Sequence, residues 1–154
     1  MDAYTAALNL LSRRELSARQ LRERLARRKF EPGQIDIVID RLTSDRTLDD
    51  RRVALAFARL EASIRRRGRR RVLQRVQQLG ISVETATAAV DEVFGDIDET
   101  AMLDAAIARR LKGATVRTLD LKGKARIVRS LVGQGFEPAQ IFARLRRKGD
   151  DLDE

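Results

Sequence analysis

Apolar residues recur along this chain at the three-and-four spacing of helices rather than the alternation of strands. Tyr4, Ala7, Leu8 and Leu11 form one such stripe. Ser17, with Gln20 three positions on, has the pattern of a capping box, in which side chain and backbone exchange hydrogen bonds at a helix start. It predicts a second helix carrying Ala18, Leu21 and Leu25. Pro32 suits the first turn of a third, whose inward face is Ile35, Val38, Ile39 and Leu42.

The pattern then restarts twice. After Leu48-Asp49-Asp50, with Asp49 as cap, a longer helix is predicted with Val53, Phe57, Leu60 and Ile64 on one face. Gly68 breaks it; Val72, Leu73, Val76 and Leu79 follow, and Gly80 ends that helix in the left-handed conformation glycine tolerates. Ser82 caps the next, with Ala86, Ala89, Val90 and Val93 inward. A third round starts at Asp96 to Asp98, with Leu103, Ala106, Ile107 and Leu111. It continues through Lys122 to Leu131 with Ile127, Val128 and Leu131 facing in, stops at Gly135, and ends with a helix from Pro138 carrying Ile141, Phe142 and Leu145.

An internal match supports three equivalent rounds. Phe30-Glu31-Pro32-Gly33-Gln34-Ile35 resembles Phe136-Glu137-Pro138-Ala139-Gln140-Ile141, and Leu79-Gly80-Ile81-Ser82 occupies the same junction between them. The spacings are 51 residues from Phe30 to Ile81 and 55 from Ile81 to Phe136. A period near fifty marks a repeat array. The predicted fold is therefore all-α: three tandem three-helix repeats forming an elongated, curved array. The expected boundaries are 1–47, 48–95 with an arginine-rich turn, 96–149, and a frayed acidic tail over 150–154.

Composition narrows the chemistry. The chain has no cysteine and no histidine, which removes disulfides, thiolate metal sites, and the commonest general base and metal ligand. No apolar window approaches the roughly 18 residues a membrane span needs, and Met1-Asp2-Ala3-Tyr4 does not open like a secretory signal, so a cytoplasmic location is expected. No G-x-x-x-x-G-K phosphate loop occurs. Asp49-Asp50 and the Asp96, Asp98, Glu99 group sit at helix starts, where carboxylates cap backbone amides; no metal site and no cofactor is expected. Phe30, Phe57, Phe94, Phe136 and Phe142 lie on apolar stripes or helix junctions and read as core.

The net charge is +9, with most of the 32 basic residues arginine. Such a balance favours a polyanionic partner, nucleic acid or an acidic protein surface. The densest feature is Arg65-Arg66-Arg67-Gly68-Arg69-Arg70-Arg71, in which no nearby acid is expected to offset the mutual repulsion. Planar guanidinium forks suit carboxylates and phosphates. These six arginines are the first candidates for contact with an acidic partner; Lys122, Lys124, Arg126, Arg144 and Arg147 are the second group.

Several segments resemble the RecX family of regulatory proteins. They are the opening from Leu11 to Leu25, which includes Arg14, Ser17 and Leu21; Leu48-Asp49-Asp50-Arg51-Arg52-Val53-Ala54; Gly68 and Val72 followed by Leu79-Gly80-Ile81; and Leu131-Val132-Gly133-Gln134-Gly135-Phe136. Order and spacing carry the resemblance over nearly the whole chain. Gln20, Val53 and Val76 depart from the usual glutamate, phenylalanine and leucine, conservatively in packing terms. The resemblance implies a non-catalytic regulator that binds the RecA–DNA filament and modulates, mostly by inhibition, ATP hydrolysis, strand exchange and co-protease activity. It implies no catalytic residues. Single- or double-stranded DNA is a further expected partner, and a monomer is the expected state. The rival reading from charge alone is a sequence-independent DNA- or RNA-binding protein; a third is an adaptor for another acidic protein.

Overall fold

A computed structural model describes residues 1–150. Within them the chain is helical throughout. Nine α-helices follow in order: α1 Ala3–Arg13, α2 Ala18–Arg27, α3 Pro32–Ser44, α4 Asp50–Arg59, α5 Arg69–Gln78, α6 Val83–Gly95, α7 Glu99–Leu111, α8 Leu121–Gln134 and α9 Pro138–Asp150. A short 3₁₀ turn at Val116–Thr118 bridges α7 and α8. Local chemistry explains most starts. Asp2, Asp49, Asp98 and Asp120 each accept a backbone amide as N-cap, Ser17 and Gln20 close the expected capping box, and Ser82 caps α6. Pro32 and Pro138 open α3 and α9.

Three apolar clusters lie along the chain. One is built on Leu10, Leu21, Leu25, Ile39 and Leu42, the next on Val72, Val76, Val90 and Phe94, and the last on Leu103, Ile107, Leu131 and Ile141. Leu48 packs into the first cluster although it opens the second round in sequence. Met102 lies against both the second and the third. A compact monomer of 17.4 kDa would expose about 7,900 Å². This chain exposes 9708 Å², as a row of small cores does.

The rows are joined by helix ends rather than helix flanks. At the first junction the N-terminus of α2 meets the C-terminus of α5: the Ser17 hydroxyl donates to the Leu79 carbonyl, and Arg19 Nη2 donates to the Gln78 carbonyl at 2.9 Å. At the second, the N-terminus of α5 meets the C-terminus of α8: the Gly68 amide donates to the Gln134 carbonyl at 2.9 Å and the Arg70 amide to the Gly135 carbonyl at 3.2 Å. Side-chain donors satisfy the orphan carbonyls at the first junction and orphan amides do so at the second, and each sets opposite ends of two helix dipoles together. Gly80 leaves its helix at φ +83°, as the sequence predicts, and Gly135, expected only to stop its helix, does so at φ +107°. The matching position after α2 is Lys29, at φ +65°. Lys29 is exposed, and its side chain is tolerated there.

Four expectations are corrected. In α1 the inward residues are Ala3, Ala6, Ala7 and Leu10, while Leu8 lies at the exposed edge; alanines let the helix sit close, and close packing rather than bulk sets its rotation. In the helix after Asp49, Leu60 and Ile64 are 41% and 71% exposed instead of buried. The cause is a π-helical turn at Leu60–Ile64, whose extra residue rotates the following side chains and brings Glu61 and Ala62 inward. Phe142 is 51% exposed rather than core, because α9 turns Ile141 and Leu145 inward. Asp150, expected in the frayed tail, is the last residue of α9, and residues 151–154 lie outside the described part of the chain.

Candidate basic interaction surface

The arginine run is built around a carboxylate. Glu61 is wholly buried, and three guanidinium groups surround it: Arg67 Nη1 at 3.0 Å, Arg65 Nη1 at 3.5 Å and Arg75 Nε at 3.7 Å. This corrects the expectation that nothing acidic offsets the run. Three positive charges against one negative leave the cluster cationic, and none of these pairs has hydrogen-bond geometry, so they act as charge neutralisation rather than as directional bonds. Glu61 reaches this place only because the π turn swings it inward. The sequence held half a signal, an i, i+4 spacing from Glu61 to Arg65; the approach of Arg67 and Arg75 is tertiary.

The rest of the run divides by partner. Arg69 bridges to Asp91 at 2.7 Å and lies over the Phe94 ring; Arg70 pairs with Glu137 at 3.0 Å; Arg71 donates to Gln74. These three occupy the first turn of α5, where cations oppose the helix dipole, and the carboxylates of neighbouring elements offset that cost. Arg66 is different. Its backbone is left-handed, at φ +56°, and its carbonyl accepts a hydrogen bond from Gln134 Nε2 at 2.5 Å. Gln134 in turn accepts from Arg110, which also donates to Ser130 and to the Ala106 carbonyl. A polar relay from α7 through α8 thus fixes the Arg66 backbone. Burial, with the like charge of Arg109 next to it, lowers the pKa of the Arg110 guanidinium below the ordinary arginine value. Among the described residues no carboxylate lies in ion-pair range of the Arg66 side chain.

The second candidate group is also mixed. Arg144 grips Asp104 with two bonds, at 2.9 and 2.6 Å, and is therefore committed to holding α9 on α7. That bond holds the Asp104 carboxyl below the usual carboxylate range; burial opposes it, and Lys148, Arg144 and Arg147 add attraction. Arg147 and Lys148 lie in the last turn of α9, where cations complement the dipole. Lys122 and Lys124 follow the cap Asp120 at the start of α8, where cations are disfavoured, so helix stability does not explain them. Arg126 is exposed on the same helix. Lys124 shares an open cleft with Arg117, Arg146 and the exposed Phe142.

The structure therefore gathers the arginine run at the seam between the second and third clusters, whereas of the α8–α9 group only Lys124 lines the cleft between those helices and Arg144 is held by Asp104. Sequence reasoning did not single out Glu61 or Gln134, whose roles depend on partners distant in sequence. Among the described residues no group of three or more acidic side chains could hold a metal ion, and no helix is long and apolar enough to cross a membrane.

Residues 3–42 match a family model described as the first three-helix domain of RecX. The regulatory protein RecX of Syntrophotalea carbinolica is 34% identical over 143 residues, 92% of each chain. That of Halorhodospira halophila is 33% identical over 147 residues, 95% of this chain and 88% of its own. The crystal structure of RecX from Lactobacillus salivarius superposes with a TM-score of 0.79 at 20% identity, covering 96% of this chain and 94% of that one.

Proposed function

The chain belongs to the RecX family of regulatory proteins, and from that premise we propose that it binds the RecA–DNA filament and modulates it, mostly by inhibition. ATP hydrolysis, strand exchange and co-protease activity are the outputs it acts on, and it acts without chemistry of its own. The observation that carries this reading is likeness over nearly the whole chain, not in one segment, to proteins named as RecX regulators. The structure adds physical support. A row of three small cores suits an extended, repetitive partner better than a small ligand. The α8 cations Lys122, Lys124 and Arg126, which the dipole does not account for and which no carboxylate among the described residues pairs with, suit an anionic surface.

The test is the ATPase rate of RecA on single-stranded DNA, titrated with this protein and with a Lys122→Ala/Lys124→Ala/Arg126→Ala variant. Inhibition near stoichiometric amounts by the wild type is expected, weakened several-fold in the variant. The all-alanine replacement of the arginine run is a poor probe, because Arg65 and Arg67 neutralise a buried carboxylate. The α8 cations also favour the rival reading, a nucleic-acid binder with no sequence preference. Under it, log affinity for DNA falls linearly with log salt and RecA is unaffected. DNA binding without any change in the ATPase would replace the filament reading.

A further inference from the structure

Of the six arginines in the run, five side chains meet a partner among the described residues and that of Arg66 does not. The Arg66 side chain lines a cleft of about 370 Å³ at the seam between the second and third clusters. Its lining is otherwise mostly apolar, from Ala62, Ile97, Met102 and Ala105, and Arg109 stands on it from α7. Arg109 also has no carboxylate in range among the described residues, and it adds to the positive charge that disfavours ionisation of Arg110. The site is built rather than incidental: the π turn delivers Ala62, the Gln134 bond fixes the Arg66 backbone, and helix α7 carries Met102, Ala105 and Arg109 together.

We infer that this cleft binds an acidic peptide segment carrying one aliphatic side chain, the side chain entering between Met102 and Ala105 and carboxylates meeting Arg66 and Arg109. The apolar lining decides between polyanions. A phosphate backbone would leave that surface without a partner, and the cleft has no aromatic ring on which a base could stack. A carboxylate beside an aliphatic group satisfies both parts at once. The inference rests on the reading that this protein's partner is a protein assembly, and it names the chemistry of the surface recognised there.

The chain contains two methionines, Met1 and Met102, so methyl labelling gives one reporter in the cleft and one far from it. The probe is a blocked peptide Asp-Glu-Leu-Asp-Glu titrated into the full chain. The Met102 methyl signal is expected to shift saturably while Met1 stays still. Affinity should fall about tenfold in Arg66→Gln/Arg109→Gln, whose exposed side chains leave the fold intact. It should also fall several-fold for Asp-Glu-Ser-Asp-Glu and for Asn-Gln-Leu-Asn-Gln. A silent Met102 overturns the inference, as does an equal response to the serine peptide or to an oligothymidylate. RecA inhibition is read separately. Inhibition with a silent Met102 sinks the cleft and leaves the filament reading standing; a responsive Met102 without inhibition does the reverse.

Discussion

The two junctions between units share a backbone plan and differ in chemistry. At both, the N-terminus of one second helix meets the C-terminus of the next. At the first, side chains make the bond: the Ser17 hydroxyl reaches the Leu79 carbonyl, the Asp50 carboxylate accepts the Ala18 amide at 2.8 Å, and Arg52 pairs with Glu15. At the second, two glycines let the backbones touch, and the surrounding charge comes from the arginine run around Glu61. Backbone contact, with Gln134 on the Arg66 carbonyl and the Arg70–Glu137 pair beside it, joins the units without using the Arg66 side chain. Arg66 can then face outward, exposed beside Arg109. A repeat can thus keep its geometry while one copy of its junction is given over to recognition.

The largest test of this contrast concerns the two carboxylates. Glu61→Ala should destabilise the protein by about 3–5 kcal/mol, because it leaves half-buried guanidinium groups facing one another. Glu15→Ala at the first junction breaks a pair whose side chains are each 45% exposed and should cost under about 1 kcal/mol. Urea midpoints of the two variants measure both; similar losses would mean that Glu61 is not the hub of the run.

Next come the glycines. A Cβ on Gly68 would lie 2.5 Å from the Gly135 carbonyl carbon, which cannot yield without moving a helix end. Gly68→Ala should cost about 3 kcal/mol and broaden the unfolding transition as the third unit uncouples. At Gly80 the neighbours are side-chain atoms of Arg19, Nε at 2.3 Å and Cβ at 2.6 Å, so Gly80→Ala should cost the left-handed strain of about 1–2 kcal/mol together with a local shift of Arg19, and leave the transition sharp. Calorimetric scans distinguish them, and a single sharp transition for both would argue against a backbone-locked second junction.

The smallest effect is at the first cap. Ser17→Ala removes both the α2 cap and the bond to Leu79 and should cost about 1 kcal/mol. Ser17→Gly imitates the second junction and should cost less, since glycine is a tolerated cap. Equal losses would show that the bond to Leu79, not the cap, is what the serine supplies.

The linear sequence determined the elements whose causes are local. Ser17 with Gln20, Asp49 and Ser82 fix helix starts through bonds to residues three positions away, Pro32 and Pro138 do so through their locked φ, and Gly80 and Gly135 fix helix ends through a backbone conformation of their own. The fifty-residue period was legible for the same reason, since each unit repeats the local recipe. Tertiary structure decided what depends on partners distant in sequence. The π turn at Leu60–Ile64 goes against the apolar spacing: it brings Glu61 between Arg67 and Arg75, precedes the contact of Gly68 with α8, and leaves Leu60 and Ile64 exposed. The rotation of α1 follows how closely its alanines approach the first core. Which arginines remain available could not be read from a run of six, because a guanidinium's availability depends on where the nearest carboxylate lies in space, and Glu61, Asp91 and Glu137 come from three separate segments of the chain.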